Sequence, residues 1–219
     1  MNPVRRPRVK ICCIASIEEE QLAVRYGASA VGLVSAMPSG PGSIPEELIA
    51  EITATVPPGV ATFLLTCKPS AEEVIEQQRR TKVSTLQLVD HFPIEDYAIL
   101  RRKLPGIRIV QVIHVRDNNS VEEALAVSPH VDALLLDSGN PNLRVKELGG
   151  TGRVHDWSIS RKIREAVNVP VFLAGGLKPE NVREAVEQVG PYALDVCSGV
   201  RTNGKLDEDK LVRFFAALS

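Results

Sequence analysis

The residues best suited to chemistry stand where short apolar runs end. The first run reads Val9-Lys10-Ile11-Cys12-Cys13. In an extended strand, alternation puts Lys10 and Cys12 on one face and Ile11 and Cys13 on the other, toward the helix layer. A nearby ammonium group favours the thiolate, which is the reactive form of cysteine. Cys12 is therefore a candidate catalytic group, with a small buried hydrophobe as the alternative interpretation.

A carboxyl group ends a later run, Leu134-Leu135-Leu136-Asp137. Partial burial raises the pKa of a carboxyl group and would keep Asp137 protonated near neutral pH, as a general acid must be. An Asp that caps a turn is the alternative interpretation. Asp195 lies inside the last apolar run, where an unpaired charge is too costly, so Lys10 is its expected partner.

Glycine-rich segments follow the final two runs and indicate an anion site. One contains Gly175-Gly176 and the other contains Ser198-Gly199. Glycine lets backbone N–H groups approach a ligand closely, and such groups at a helix N-terminus bind phosphate. Either segment alone is a weak signal, because glycine is common in tight turns. Together they predict a phosphate site formed by Gly175, Gly176, Ser198 and Gly199.

The elements that must position these residues form a repeating pattern in the 219-residue chain. Apolar runs alternate with stretches of helical spacing, and the runs begin near Val9, Ala30, Ala61, Thr85, Arg108, Val131, Val171 and Ala193. Strands buried on both faces read as continuous apolar runs. Eight such β-α units predict a (β/α)8 TIM barrel that occupies residues 1–219 as a single domain. An open doubly wound sheet is the rival, but no GxGxxG follows the first run.

In this barrel, functional residues lie at the carboxyl ends of the strands and in the loops that follow. Two of those loops are long, at residues 35–45 and 138–156, and long loops are often lids or binding loops. Ser16, Ser70 and Ser120 are expected N-caps of helices, because each precedes a Glu by two or three residues.

The composition excludes several classes of partner. Lys and Arg number 26 and Asp and Glu 27, and the net charge of −1 gives no electrostatic basis for binding nucleic acid or an anionic membrane. No apolar run approaches the roughly 20 residues of a spanning helix. The N-terminus does not read as a secretory signal, so we expect a cytoplasmic protein. The four cysteines lack zinc-site spacing, which predicts reduced thiols and no metal.

Taken together, the strand-end motifs resemble those of the phosphoribosylanthranilate isomerase family of tryptophan biosynthesis. The resemblance is carried by VKIC near the N-terminus and later by LLLDS, LGGTGRVHDWS, VPVFLAGGLKPENV and ALDVCSGV, in the family's order and spacing. It implies an Amadori rearrangement of N-(5′-phosphoribosyl)anthranilate to 1-(2-carboxyphenylamino)-1-deoxyribulose 5-phosphate, without a cofactor. It also implies that Cys12 is the general base and Asp137 the general acid.

Other positions at the predicted mouth are expected to contact the substrate, a small phosphorylated sugar. We predict substrate-binding roles for Lys10, Gln87, Gly150 and Asp195. The protein is expected to be a monomer or a homodimer, with no nucleic-acid or membrane partner.

The chain departs from the family at four positions. Cys13 stands where the family usually has Gly, and Gly42 where it has the Arg that holds the anthranilate carboxylate. Val89 replaces a His at the end of the fourth run, and Arg201 replaces a Glu. Another cation would have to compensate for the lost Arg, and the candidates are Arg116, Arg144 and Arg201.

These departures leave two alternatives to the isomerase open. One is a diverged paralogue that isomerises another phosphorylated aminosugar. The other is a non-catalytic barrel that binds a sugar phosphate, against which the presence of both Cys12 and Asp137 argues.

Overall fold

The architecture is a closed barrel of eight parallel strands, paired in chain order with β8 against β1. The structure is a computed structural model and describes residues 6–140, 142–143, 145–150 and 152–219. The strands are β1 (Arg8–Ile11), β2 (Ala30–Val34), β3 (Ala61–Thr66), β4 (Thr85–Leu88), β5 (Arg108–His114), β6 (Ala133–Asp137), β7 (Val171–Leu173) and β8 (Ala193–Val196). The predicted (β/α)8 fold is confirmed.

Helices alternate with the strands and surround the barrel. They are α1 (Ile17–Arg25), α2 (Glu46–Thr55), α3 (Ala71–Thr81), α4 (Ile94–Lys103), α5 (Asn119–Val127), α6 (Trp157–Ala166), α7 (Val182–Val189) and α8 (Glu208–Ala216). Short 3-10 turns cover Ser128–His130 and Ser198–Val200, and a small hairpin pairs β9 (Arg201–Thr202) with β10 (Lys205–Leu206). None of the described helices combines the length and apolar character that a membrane crossing requires.

Two of the three predicted N-caps are confirmed. Ser16 accepts a hydrogen bond from Glu19 N at the start of α1, and Ser70 accepts one from Glu73 N at the start of α3. The prediction for Ser120 is wrong, because α5 begins at Asn119 and Ser120 therefore lies inside the helix. Ser120 is instead buried within the first turn of α5, where its hydroxyl donates to the His114 carbonyl.

Strand alternation divides the core into two layers. In β2, Val31 and Leu33 face outward and join the large cluster that packs against the helices. Ala30 and Val34 face inward and join a second cluster inside the barrel, together with Cys12 on β1's continuation. Every strand is therefore buried on both faces, which explains why each reads as a continuous apolar run.

The two long loops meet above the carboxyl ends of the strands. Loop 2 (residues 35–45) and loop 6 (residues 138–156) end where predicted, since α2 begins at Glu46 and α6 at Trp157. The Ser39 hydroxyl in loop 2 donates to the Lys146 carbonyl in loop 6. Together they cover part of the barrel mouth.

Candidate active site

A cavity opens at the carboxyl ends of the strands, beneath loops 2 and 6. Most of the residues with a predicted site role line it, namely Cys12, Gln87, Asp137, Gly150, Gly175, Gly176, Asp195 and Ser198. Gly199 lines an adjoining pocket that shares Gly176 and Ser198 with the first. Lys10 lies one layer below the cavity and is fully buried.

A buried ion pair supports the floor of the cavity. Lys10 Nζ lies 2.8 Å from Asp195 Oδ1 and 3.4 Å from Cys12 Sγ. Burial acts to lower the pKa of Lys10, but the charges of Asp195 and Cys12 outweigh it and raise that pKa above its ordinary value. Gly32 leaves room for this group, since a Cβ there would lie 2.8 Å from Cys12 Sγ. Lys10 is therefore placed to act on Cys12 as a charged neighbour.

The thiol of Cys12 is biased toward its charged form. A hydrogen bond from the Cys13 thiol is the largest cause that lowers the pKa of Cys12, and the Lys10 ammonium lowers it further. Burial and the Asp195 carboxylate oppose this change. Because a thiolate is the basic form of cysteine, the arrangement suits Cys12 to removing a proton.

Cys13 does not face the helix layer, so that expectation is wrong. Its φ of +61° interrupts the strand alternation and turns its side chain into the cavity. The Cys197 thiol, from the adjacent end of β8, donates to Cys13 Sγ at 2.7 Å. The pKa of Cys13 is raised well above the ordinary thiol value, with the hydrogen bond to Cys12 as the largest cause. Cys13 thus stays a neutral donor beside Cys12.

Arg201 holds the backbone that follows β1. Its guanidinium donates to the Cys13 carbonyl at 2.6 Å and the Cys12 carbonyl at 3.2 Å. The same group pairs with Glu19 at 2.9 Å, and the Arg201 side chain is 7% exposed. Because both terminal nitrogens of Arg201 are engaged in this clamp, Arg201 does not supply the missing cation for a substrate carboxylate.

Asp137 has the raised pKa that a general acid needs. Burial raises the pKa of Asp137, although the Ser138 N–H, 2.7 Å from Oδ1, and the nearby His114 lower it. Loop 6 passes close overhead, since a Cβ on Gly149 would lie 2.8 Å from Asp137 Oδ2. Asp137 and Cys12 therefore line one cavity with pKa shifts in opposite directions, toward a neutral carboxyl group and a charged thiolate.

Gln87 offers a further polar group to the cavity. Its side chain is buried at the end of β4, and its Oε1 meets no hydrogen-bond donor among the described residues. A buried polar atom without a protein partner is costly, so a ligand that donates to Gln87 would relieve it.

The predicted phosphate residues come from the loops after β7 and β8. Gly175 and Gly176 have φ of +82° and +64°, a conformation that favours glycine. A Cβ on Gly176 would lie 2.7 Å from the backbone of Arg153, so a bulky substitution there would also disturb loop 6. Lys178 and Lys210 line the adjoining pocket and add positive charge.

Two of the departures from the family form a matched pair. Gly42 has φ of +80°, and a Cβ on it would lie 2.5 Å from Cys13 Cβ. The space for a side chain at residue 42 is therefore occupied by Cys13. The adjacent glycine in the family's motif is the sequence signal that could have shown this, since only glycine readily adopts positive φ.

The departure at residue 89 places an apolar side chain directly after β4. Val89 is fully buried, and its carbonyl is 2.9 Å from His114 Nε2. Arg116 is exposed and is not part of the cavity lining. Arg144 lies outside the described residues.

Within the described part of the chain, no group of three or more His, Cys, Asp or Glu side chains is placed to hold a metal ion.

Comparison with known proteins gives a consistent result. The sequence profile of N-(5′-phosphoribosyl)anthranilate (PRA) isomerase matches residues 9–217. The chain is 35% identical over 208 residues to the N-(5′-phosphoribosyl)anthranilate isomerase of Methanocella arvoryzae, covering 95% of each protein. It superposes on phosphoribosyl anthranilate isomerase from Thermotoga maritima with a TM-score of 0.82 and 31% identity, covering 97% of this chain and 98% of that one. A further crystal structure, with a TM-score of 0.79, 29% identity and coverage of 97% and 98%, is a phosphoribosyl anthranilate isomerase in complex with reduced 1-(o-carboxyphenylamino)-1-deoxyribulose 5-phosphate.

Proposed function

The chain belongs to the N-(5′-phosphoribosyl)anthranilate isomerase family, and we propose that it catalyses the conversion of N-(5′-phosphoribosyl)anthranilate to 1-(2-carboxyphenylamino)-1-deoxyribulose 5-phosphate in tryptophan biosynthesis. The observation that carries the proposal is that Cys12 and Asp137 line the same cavity with opposite pKa shifts. An aldose-ketose rearrangement needs such a pair, a base for one carbon-bound proton and an acid for one oxygen.

A neutral Asp137 and a Cys12 thiolate together can carry out the rearrangement in the following steps. Asp137 donates its proton to the furanose ring oxygen, the C1′–O bond breaks, and the nitrogen lone pair forms a C=N bond to C1′. The Cys12 thiolate then removes the proton from C2′, which gives an enolamine. Tautomerisation of the enolamine returns a proton to C1′ and leaves the ketone at C2′. General acid–base catalysis of this kind contributes about 10²–10⁴-fold in rate.

The substrate phosphate fits the loops after β7 and β8. Backbone N–H groups of Gly175, Gly176, Ser198 and Gly199 would hold it, and Lys178 supplies charge nearby. Lys10 and Asp195 would hold Cys12 in place from below, and Gln87 and Gly150 would contact the sugar or the ring.

The anthranilate carboxylate needs a cation other than residue 42. Lys146 in loop 6 is a candidate. It does not itself line the cavity, but its ammonium pairs with Asp90, two residues after β4, and its carbonyl accepts a hydrogen bond from Ser39, which does line the cavity. We expect Lys146→Ala to raise KM for N-(5′-phosphoribosyl)anthranilate, and Lys146→Arg to retain most of the affinity. Equal KM values in both variants and the wild type would exclude this role.

The proposed function is tested by complementation of a tryptophan auxotroph that lacks this isomerase, together with an assay on the purified protein. Growth and turnover would support it. A folded protein that binds phosphate but does not turn over N-(5′-phosphoribosyl)anthranilate would favour the paralogue that acts on another aminosugar.

We further propose that residues 1–219 form one domain, in the cytoplasm, as a monomer or homodimer. A Thermotoga maritima relative is described as a dimeric isomerase from which monomers were generated. Light scattering of the purified protein distinguishes the two states.

A further inference from the structure

Three thiols lie together at the rim where β1 and β8 end. Cys12 and Cys13 follow β1, and Cys197 follows β8. All three line the cavity, and Cys197 donates to Cys13 Sγ at 2.7 Å. Each is a free cysteine in this structure.

Backbone pairing holds Cys13 beside Cys197. In the parallel register of β1 and β8, Ile11 lies opposite Val196, and the Cys12 N–H donates to the Val196 carbonyl at 2.8 Å. The positive φ of Cys13 then directs its side chain toward β8. Arg201 fixes this turn through the Cys13 carbonyl. Only a small approach of the two sulfurs is needed to reach the roughly 2.05 Å of a disulfide bond.

The pair is accessible from the cavity. Cys197 is half-buried, whereas Cys12 and Cys13 are 5% and 6% exposed. A small oxidant that enters the mouth therefore meets Cys197 first. Cys67 lies apart from the cluster, after β3, where its thiol donates weakly to the Ala36 carbonyl at 3.6 Å.

We propose that Cys13 and Cys197 form a modifiable dithiol, which low-molecular-weight disulfides oxidise to an intramolecular disulfide beside the base. One thiolate attacks a sulfur of the oxidant R–S–S–R, forms a mixed disulfide and expels RS⁻. Cys13, which is neutral at rest, gives its proton to the neighbouring Cys12 thiolate and attacks the Cys197 sulfur of that mixed disulfide. This forms the Cys13–Cys197 bond and expels a second RS⁻, which takes up the proton. The two protein thiols are oxidised, the oxidant is reduced, and the two thiol protons leave on two molecules of RSH.

The bond would act on the reaction through Cys12. In the reduced protein the Cys13 thiol donates to Cys12 and so favours its thiolate. A disulfide sulfur carries no hydrogen and cannot donate, so oxidation leaves Cys12 with less thiolate near neutral pH. Formation of the bond is independent of the proposed isomerase activity, whereas the loss of turnover rests on it.

The test uses glutathione disulfide on the reduced full-length protein. Wild type, Cys197→Ser and the matched control Cys67→Ser are each compared with their own reduced form by intact mass, peptide mapping and isomerase turnover. We expect wild type and Cys67→Ser to lose two hydrogens, to yield a peptide joined through Cys13 and Cys197, and to lose turnover about tenfold or more, the scale of one hydrogen bond to a charged group. Dithiothreitol should restore both, and Cys197→Ser should keep its turnover.

Several results would overturn the proposal. These are a bond that joins Cys12 instead, mixed disulfides alone, or equal loss of turnover in Cys197→Ser. A Cys13–Cys197 bond with unchanged turnover would support the dithiol and overturn its effect on Cys12. If the reduced wild type has no isomerase activity, that result counts against the proposed function, and the mass and peptide data alone decide on the bond.

Discussion

The two sides of the barrel mouth differ in how they are built. On the side formed by β1, β6, β7 and β8, Cys12 and Asp137 stand on strand ends and are supported by a buried ion pair, Lys10 with Asp195. On the side formed by loop 2 and the end of β4, the cationic and imidazole groups expected from the family are absent at residues 42 and 89.

The difference separates two kinds of requirement. Proton transfer and phosphate binding depend on fixed backbone and on the charge states of buried groups, which strand pairing supplies. Recognition of an aromatic carboxylate needs one cation within reach, which loops can supply from several positions. Cys13 links the two sides, because it supports Cys12 and also occupies the space beside Gly42.

The largest effect is expected from the proposed catalytic pair, Cys12 and Asp137. Cys12→Ser and Asp137→Asn should each lower kcat by about 10²–10⁴-fold, because each removes one proton-transfer group. Steady-state kinetics on N-(5′-phosphoribosyl)anthranilate measures this, and the melting temperature with and without inorganic phosphate checks that fold and phosphate site persist. Cys67→Ser is the matched control and should behave as wild type. Full turnover by Cys12→Ser would remove Cys12 from the mechanism.

Breaking the buried ion pair should destabilise the protein strongly. Lys10→Met keeps most of the side-chain volume but leaves the Asp195 carboxylate buried without its partner. Removing one member of a buried pair costs about 3–5 kcal/mol of unfolding free energy. Urea unfolding measures the loss, and Lys10→Met combined with Asp195→Asn should recover part of it. A single variant as stable as wild type would show that solvent reaches Asp195.

Ser198 tests the phosphate side of the mouth. We expect the Ser198 hydroxyl to donate to the phosphate beside the Ser198 N–H. Ser198→Ala removes the hydroxyl and keeps the N–H, so it should raise KM with little change in stability, since a hydrogen bond to a charged group contributes about 1.5–3 kcal/mol. The measurements are KM for substrate and the inhibition constant of inorganic phosphate, which should rise together. A bulky residue at Gly176 is a poorer test, because it also crowds Arg153. An unchanged inhibition constant would show that the Ser198 hydroxyl makes no hydrogen bond to the phosphate.

A substitution at Gly42 tests the side of the mouth formed by loop 2 and the end of β4. Gly42→Arg alone should destabilise the protein by about 1–3 kcal/mol, since the added side chain meets Cys13 and the backbone has positive φ. In a Cys13→Gly background the same substitution should be better tolerated. Thermal unfolding of the two single variants and the double variant gives the coupling. Simple additivity would show that the two positions do not share space.

The fold could be predicted from the sequence because the apolar pattern that indicates a strand lies within the strand itself. A strand with both faces buried, such as β2, must be apolar at every position, so the runs indicate where strands begin. Asp137 and Gly175 could likewise be placed at the mouth, since parallel strands of a barrel end at one rim. The placement of Cys12, the first residue after β1, could also be predicted, because alternation puts Lys10 and Cys12 on one face.

The features that could not be predicted from the sequence depend on contacts between residues that are distant in the chain or on local backbone geometry. Alternation fails at Cys13, where positive φ re-aims the side chain toward Cys197. Arg201 looks like a free cation in the sequence, yet it clamps Glu19 from 182 residues away. Ser120 loses its expected capping role because the preceding Asp117 and Asn119 already form a turn, with Asn119 N donating to Asp117 Oδ1.

The central claim is that the mouth pairs a thiolate base with a neutral carboxylic acid, and the pH dependence of kcat/KM tests it most directly. Because the pKa of Cys12 is lowered and that of Asp137 is raised, the two limbs of a bell-shaped profile should be displaced from the ordinary pKa values of a thiol and a carboxyl group, one downward and the other upward. The limbs belong to the pair, so the assignment comes from Cys13→Ala. This variant removes the Cys13 thiol that donates to Cys12, so the pKa of Cys12 should rise. One limb should then move to higher pH while the other stays. A profile with limbs at the ordinary values, or one that Cys13→Ala leaves in place, would contradict the account.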